Sequence, residues 1–238
     1  MRGVVFFLIL LSVFSLGLDI PKELGKVQSC PYRVVFLHSD IVAIRYPVFL
    51  MEDSQRLNEE VERLVDAMFS CWKNSLVDNV KAGLRDLTFF SLDFEIRRCD
   101  NKIISLTIID SAYTGGAHPL PSMKAVNFDR RSGKVLHLKD LFLPGVDYVS
   151  EISKFVEESF KKNKVFLLEK FERIKEDQDF YIDNSGIVVF FQPYEYTSFA
   201  YGFPRVHINF DDLEGLRKDL KGELFSDFPR PWTENRVW

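Results

Sequence analysis

The chain has 238 residues, a formal net charge of -4, 46% hydrophobic residues and 28% charged residues. This composition is typical of a globular protein, and the length suffices for one large domain or two small ones. The basic patches are short, such as Arg97 and Arg98, whereas neutralising nucleic-acid phosphates requires clustered Lys and Arg. We therefore expect no nucleic-acid partner.

Residues 1–17 are predicted to be a secretory signal peptide. Arg2 precedes an apolar run over residues 4–16, and the small residues Ser15 and Gly17 suit the -3 and -1 positions of a cleavage site. The run is too short for a comfortable membrane span, and no later segment is long enough for one. We expect an exported protein, periplasmic or secreted. The alternative is an uncleaved segment, which would then be the protein's contact with the membrane.

The cysteines predict at most one disulfide within the chain. Export permits such a bond, but the odd count of three leaves at least one thiol over. The spacing matches no zinc pattern. Cys30 and Cys99 both border predicted strands and are the predicted pair. Cys71 falls at the flank of a helix's apolar face, and buried free thiols are an equally open alternative.

The predicted N-terminal domain, residues 18–101, combines strands with one long helix. Residues 32–50 are β-branched and aromatic and predict one or two strands. A long amphipathic helix follows and ends near Gly83. Its apolar stripe comprises Leu57, Val61, Leu64, Val65, Met68, Trp72 and Leu76.

A predicted hairpin leads from this domain into the next. Residues 86–113 alternate as two strands around a turn at 99–102. Leu87 and Phe89 belong to the predicted first strand. Ile104, Leu106 and Ile108 form one apolar face of the predicted second strand.

The predicted C-terminal domain, residues 102–222, begins with a hairpin whose turn lies at 129–133. A second amphipathic helix covers residues 149–160. It weakens at "KKNK", and whether it resumes through Ile174 is left open.

Another hairpin turns at residues 184–186, and a strand covers 205–210. Residues 212–220 suggest a short helix, and residues 223–238 form a C-terminal tail. The fold class predicted for the whole chain is α+β, with antiparallel sheets built from hairpins and two long amphipathic helices. The pattern does not suggest parallel crossovers.

The segment "YTGGAHP", residues 113–119, resembles the signature of a bacterial extracytoplasmic family described as a domain of unknown function. The segments at 127–142 and 180–213 are similar to the strands that follow in that family, and the resemblance spans about residues 30–215. Its members include the extracellular part of lysozyme-sensing anti-sigma factors and the N-terminal module of peptidoglycan deacetylases. The resemblance implies a cell-envelope setting and recognition, not an activity. We expect neither a sigma-binding segment nor a deacetylase domain in this chain.

The YTGGAHP loop supplies the first candidate ligand-binding residues. The imidazole of His118 can change charge near neutral pH, and Gly115 and Gly116 can adopt positive φ and admit a ligand. Tyr113 and Thr114 complete the set. The alternative, which we favour, is a demanding turn in which His118 bonds the loop's own carbonyl groups.

The aromatic loop, residues 190–204, supplies the second candidate set. Tyr194, Tyr196 and Tyr201 could stack on sugars or anchor a protein partner. Phe190 and Phe199 are predicted to be buried. The alternative is that the whole loop packs on itself and on the core.

The sequence contains no HExxH, GxSxG or P-loop motif and no clustered metal-ligand spacing. We therefore expect no catalytic residues, no metal site, no cofactor and no enzymatic activity. The predicted function is a non-catalytic cell-envelope recognition module. Its partner is an envelope protein, slightly preferred, or a peptidoglycan fragment. The alternative is a peptidoglycan-modifying hydrolase or deacetylase.

Overall fold

A computed structural model describes residues 24–27 and 30–220. The predicted signal peptide and the predicted tail at 223–238 lie outside these residues. The described residues form two compact units: the first takes those up to Phe94 and Ile108–Pro121, and the second takes Glu95–Thr107 and residues 122–220. The boundary predicted between residues 101 and 102 instead falls inside the second unit, because the two strands on either side of it pair with each other.

The described residues form ten strands and two α-helices. The helices are α1, Gln55–Lys81, and α2, Tyr148–Lys162. The strands are β1 Leu24–Val27, β2 Cys30–His38, β3 Val42–Phe49, β4 Phe89–Cys99, β5 Ile103–Tyr113, β6 Leu120–Asp129, β7 Lys134–Val135, β8 Phe180–Ile182, β9 Gly186–Phe190 and β10 Arg205–Asn209.

Seven strands form one sheet in the order β1 to β7, and three form a second sheet in the order β10-β9-β8. The antiparallel hairpins predicted at β6–β7 and β8–β9 are confirmed. Residues 32–50, predicted as one or two strands, form the antiparallel pair β2–β3. The α+β class is likewise confirmed. The expectation that parallel crossovers are absent is wrong, because β3 and β4 pair in parallel, with Val42 opposite Phe90. Helix α1 connects these two strands.

Helix α1 supplies much of the core of the first unit. Its buried residues recur at helical spacing, so one face packs against β3 while the other carries charge. The ring of Phe69 meets the ring of Phe90 edge-on, with centroids 5.3 Å apart. The helix ends where predicted, and Gly83 adopts a φ of +78°. Its buried residues are Leu57, Val61, Val65, Met68, Phe69 and Leu76.

Strands β4 and β5 form the predicted pair around residues 99–102, but with two differences. Strand β5 is buried on both faces, because Ser105 and Thr107 are fully buried, as are the alternating residues Ile104, Leu106 and Ile108. Leu87 lies outside β4 in a short 3-10 turn and is 54% exposed.

The second unit packs α2 against β10 and encloses an apolar core that includes Ile152, Val156 and Phe160. A buried carboxamide joins its two sheets. The Oδ1 atom of Asn127 on β6 accepts hydrogen bonds from Ser105 Oγ at 2.7 Å and from the Ile182 amide at 3.0 Å. Its Nδ2 atom donates to the Phe180 carbonyl at 2.9 Å. Strand β8 is thereby fixed to the larger sheet.

Helix α2 does not resume after residue 164. Lys164 has a φ of +51°, which ends the helix, and the chain then continues without regular secondary structure. Phe171 and Ile174 are buried, as their spacing suggests, but they lie in an irregular segment rather than in a helix. Side-chain and backbone hydrogen bonds hold this segment. The Ile174 amide donates to Ser153 Oγ at 3.0 Å, and the Leu168 amide donates to the Tyr196 carbonyl at 2.8 Å.

The short helix suggested at residues 212–220 is also absent. The structure has two 3-10 turns instead, Phe210–Asp212 and Lys218–Leu220. Between them Gly215 adopts a φ of +66°, which a continuous helix does not allow. In the described part of the chain, no helix is long and apolar enough to cross a membrane.

The three cysteines differ in environment. Cys30 is fully buried and Cys99 is 9% exposed, and both are in the disulfide-bonded state. Cys71 is an exposed free thiol on α1. That Cys30 and Cys99 bond to each other stays a prediction.

Candidate functional site

The YTGGAHP loop follows β5 in the first unit and is held by its own hydrogen bonds. The Tyr113 hydroxyl donates to the Gly116 carbonyl at 2.9 Å. From α1, Asn79 Nδ2 donates to the Thr114 carbonyl at 2.9 Å and to Thr88 Oγ1 at 3.2 Å. The half-buried side-chain amide of Asn79 therefore fastens the loop to the helix. The sequence patterns did not single out this residue.

The two glycines and the histidine of this loop serve its backbone geometry. Gly115 and Gly116 have φ values of +100° and +112°. No atom lies within 4 Å of an added Cβ at either position, so conformation rather than crowding requires glycine. His118 Nδ1 lies 2.8 Å from the Pro119 carbonyl oxygen, which makes Nδ1 the protonated nitrogen of this bond. These contacts fit a demanding turn, and a ligand-binding role for the loop stays a prediction.

The aromatic loop lies in the second unit and presents Tyr194 at its surface. Tyr194 is 52% exposed and has a φ of +69°, a left-handed conformation that is rare for a bulky residue. Its amide donates to the Thr197 carbonyl at 3.0 Å. The neighbouring Glu195 carboxylate fixes the loop, because it accepts from the Gln192 amide at 3.0 Å and from Lys175 Nζ at 2.6 Å.

The other rings of the aromatic loop point in different directions. Tyr196 is partly buried and packs against the core rings Phe171 and Phe191, with centroids 5.4 and 5.2 Å away. Burial raises the pKa of its phenol. Tyr201 is 43% exposed. Phe199, which we expected to be buried, is half-buried and stacks on Tyr194 at 6.1 Å.

Asp183, Ser185 and His207 lie together at the β8–β9 turn. Ser185 Oγ and Asp183 Oδ2 lie 3.0 and 3.1 Å from the same atom, His207 Nε2. A Ser-His-Asp relay requires the serine and the carboxylate on opposite ring nitrogens, so this arrangement is a turn rather than a triad. Asp183 Oδ1 also accepts the Ser185 and Gly186 amides, each at 2.8 Å.

The two titrating groups of this turn stabilise each other. The hydrogen bond that His207 donates to the Asp183 carboxylate raises the pKa of His207. Burial alone would raise the pKa of Asp183, but the bonds from His207 and from the two turn amides together lower it. Each group therefore favours the charged form of the other.

A cleft of about 570 Å³ opens beside the start of α2 in the second unit. We refer to it as the lysine cleft, because the exposed side chains of Lys134 and Lys139 stand at its lining. Phe142 and Tyr148 form a stacked aromatic pair in its wall, with centroids 5.6 Å apart. The remaining lining residues are Asp129, Ser132, Val135, Leu136, Asp140, Leu143, Pro144, Gly145, Val146 and Arg217.

The carboxylates of the lysine cleft are bound internally. Buried Asp129 accepts the Arg131 and Ser132 amides at 3.0 and 3.3 Å, and its Oδ2 lies 3.7 Å from Arg217 Nη2. Arg217 also donates to the Asp140 carbonyl at 2.9 Å and pairs with Asp219 at 2.8 Å. The bond to Asp219 raises the pKa of Arg217, so the guanidinium is firmly charged.

The sequence patterns located some of these residues and missed others. Tyr113, Thr114, Gly115, Gly116 and His118 come together in the first unit, while Tyr194, Tyr196 and Tyr201 share one loop of the second. The lysine cleft was not predicted, because its members come from residues 129–148 and from Arg217. In the described part of the chain, no group of three or more His, Cys, Asp or Glu side chains has the arrangement of a metal site.

Comparison with solved structures places this fold among known ones. The chain is similar to a DUF3298 family protein from Pseudomonas aeruginosa PAO1, with a TM-score of 0.60 and 17% identity over 86% of this chain and 98% of that one. It is also similar to a member of that family from Bacteroides fragilis NCTC 9343, with a TM-score of 0.52 and 17% identity over 83% and 95% of the two chains. At this identity the likeness shows the fold.

The sequence comparisons point the same way. A family model described as a protein of unknown function, DUF3298, matches residues 139–211. The YTGGAHP loop precedes the matched residues, so its family resemblance stays a prediction. The chain is also 22% identical over 192 residues to the peptidoglycan-N-acetylmuramic acid deacetylase PdaC of Bacillus subtilis. The match covers 78% of this chain but only 40% of that enzyme.

Proposed function

We propose that this chain is a non-catalytic recognition module of the bacterial cell envelope that binds wall glycan through its aromatic loop. The observation that carries the proposal is the conformation of Tyr194. A left-handed backbone costs a residue with a side chain roughly 1–2 kcal/mol, and such strain persists only where the surrounding structure imposes it. Here the bonds of the Glu195 carboxylate to the Gln192 amide and to Lys175 hold the backbone in this conformation. The large ring of Tyr194 is left exposed.

Exposed tyrosines suit a sugar ligand. Their rings offer flat apolar faces to the C–H groups of a sugar, and their hydroxyl groups offer hydrogen bonds. Tyr201 supplies a second exposed ring in the same loop. Tyr196 instead packs against the core ring of Phe191 and holds the loop in place. The likeness to a peptidoglycan deacetylase supports glycan over protein as the ligand, and reverses the slight preference that the sequence alone gave.

Isothermal titration calorimetry with soluble peptidoglycan fragments tests the proposal. Tyr194→Ala and Tyr201→Ala should each weaken binding about tenfold, since one stacked ring contributes roughly 1 kcal/mol or slightly more. Phe166→Ala is the matched control, because Phe166 is 81% exposed but lies outside the aromatic loop. Equal losses in all three variants, or no binding to fragments, would overturn the proposal. A pull-down from envelope extract that yields a protein dependent on Tyr194 would reassign the ligand.

Export is part of the proposal. A mature chain that begins at Leu18, found outside the cytoplasm of the native host, is the expected result of N-terminal sequencing. A cytosolic chain that still begins at Met1 would contradict it.

The enzyme alternative has its own test. The whole activity of the PdaC relative is not carried over, because the match covers 40% of that protein. We expect no acetate release from peptidoglycan fragments incubated with the chain and divalent metals. Acetate release that His118→Ala abolishes would show a catalytic role and would make the YTGGAHP loop its site.

A further inference from the structure

The lysine cleft plays no part in the aromatic-loop interaction proposed above, yet it has the dimensions of a ligand site. Its volume of about 570 Å³ lies within the range of roughly 300–1,000 Å³ that is usual for small-molecule pockets. The cleft and the aromatic loop both belong to the second unit.

The charges of the lysine cleft are not balanced. Asp129 is neutralised by Arg217 and by two backbone amides, and the Asp140 carboxylate accepts the His137 amide at 2.8 Å. Arg217 is engaged by Asp219. In the described part of the chain, the ammonium groups of Lys134 and Lys139 make neither a hydrogen bond nor an ion pair. The lining has three cationic side chains, Lys134, Lys139 and Arg217, and two carboxylates, Asp129 and Asp140, so one positive charge is in excess.

The wall formed by Phe142, Leu143 and Tyr148 is less polar than the part of the cleft that carries the lysines. The stacked pair of Phe142 and Tyr148 is held in place, because the Tyr148 hydroxyl donates to the Glu176 carbonyl at 3.1 Å. Leu143 beside it is 54% exposed. A ligand that fits must combine an anionic group for the lysines with an apolar face for this wall.

We infer that the lysine cleft binds the carboxylate of an acidic sugar. This inference rests on the proposed glycan ligand and names the chemical group of that ligand that the cleft binds. The carboxylate lies between Lys134 and Lys139, and the sugar's C–H groups lie along the wall at Leu143 and Tyr148. Among the lining carboxylates, Asp129 is engaged by Arg217 and two backbone amides, whereas Asp140, which accepts the His137 amide, is the acidic side chain that competes with the ligand for the lysines.

Two probes that differ in one group test this assignment. N-acetylmuramic acid and N-acetylglucosamine share the same ring, but only the first carries a carboxylate, on its lactyl ether. In titrations of the full chain followed by NMR, N-acetylmuramic acid should bind roughly two- to thirtyfold more tightly, since each of two exposed ion pairs contributes about 0.2–1 kcal/mol. The preference should shrink at high salt, because exposed ion pairs are screened. Equal affinity for both sugars, or a preference that salt leaves unchanged, would overturn the inference.

Charge reversal locates the site. The double variant Lys134→Glu/Lys139→Glu should lose the preference for N-acetylmuramic acid, since two attractions become two repulsions. The double variant Lys162→Glu/Lys170→Glu changes the net charge equally at exposed lysines outside the cleft, and it should keep the preference. The same loss in both double variants would show a general charge effect and would overturn the assignment.

The two proposals fail in different ways. Tyr194→Ala should weaken the binding of peptidoglycan fragments but leave the preference for N-acetylmuramic acid intact. If fragments bind through Tyr194 and the cleft variant still discriminates the two monosaccharides, the cleft assignment is wrong while the proposed function stands. If the cleft discriminates them and Tyr194→Ala has no effect on fragments, the aromatic-loop site is wrong and the cleft remains.

Discussion

Replacing Asn127 by alanine tests whether a single buried amide holds the two sheets of the second unit together. The side chain makes three hydrogen bonds, with Ser105, Ile182 and Phe180. At a net contribution of about 1 kcal/mol each, their loss should lower the free energy of unfolding by about 2–3 kcal/mol. The lower bound applies because the Ile182 amide keeps a second acceptor, Ser105 Oγ, at 3.0 Å. The midpoint of thermal unfolding should fall by roughly 4–12 °C.

Urea and thermal denaturation followed by circular dichroism measure this change. Asn209→Ala is the matched control, because Asn209 is exposed and bonds only locally to Asp212 at 2.8 Å; its cost should stay below about 0.5 kcal/mol. Ser105→Ala combined with Asn127→Ala should show a coupling energy of about 1 kcal/mol. Equal costs for the two asparagine variants, or an uncoupled double variant, would refute the reasoning.

Three further predictions concern stability and covalent state. Because the folded-state pKa of His207 is raised by Asp183, the contribution of this pair is complete below the unfolded value of about 6.5 and is lost as the pH rises through the folded value. His207→Gln should therefore flatten the alkaline side of a plot of urea midpoint against pH, and an unchanged profile contradicts this. Gly186→Ala should destabilise the protein by about 2–3 kcal/mol, because an added Cβ would lie 2.1 Å from the Ile208 carbonyl oxygen; an unchanged urea midpoint is the opposing result. Intact-mass measurement after alkylation without reduction should find one modified thiol, on Cys71, whereas three would exclude a disulfide.

Periodicity predicted the helices and strands better than it predicted which of them pair or pack together. The stripe from Leu57 to Leu76 fixed the position of α1, and the turn residues around Gly186 fixed a hairpin, because both signals are local. The parallel pairing of Val42 with Phe90 carries no local signal, since it depends on how α1 packs. The spacing of Leu167, Phe171 and Ile174 matched a helix, but the left-handed Lys164 and the bond to Ser153 gave the segment another path.

The candidate sites show the same division. The density of aromatic residues located the aromatic loop, but not that Tyr196 turns inward while Tyr194 and Tyr201 stay exposed. The inward position of Tyr196 follows from its packing against Phe171 and Phe191. This packing exists only in the folded protein, so the sequence pattern does not show it. The lysine cleft could not be predicted, because Arg217 reaches Asp129 and the Asp140 carbonyl only after the chain has folded back.

The parallel pairing of β3 with β4 also sets an order of folding. The β2–β3 hairpin closes across a short turn, with His38 opposite Ala43, so it can form within microseconds. The contact of Val42 with Phe90 joins residues about 48 positions apart and carries a larger loop-closure entropy. Until α1 has formed and β4 has docked, one edge of β3 remains unpaired and open to pairing with another chain. The interval before this crossover closes is the stage at which the protein is most exposed to aggregation.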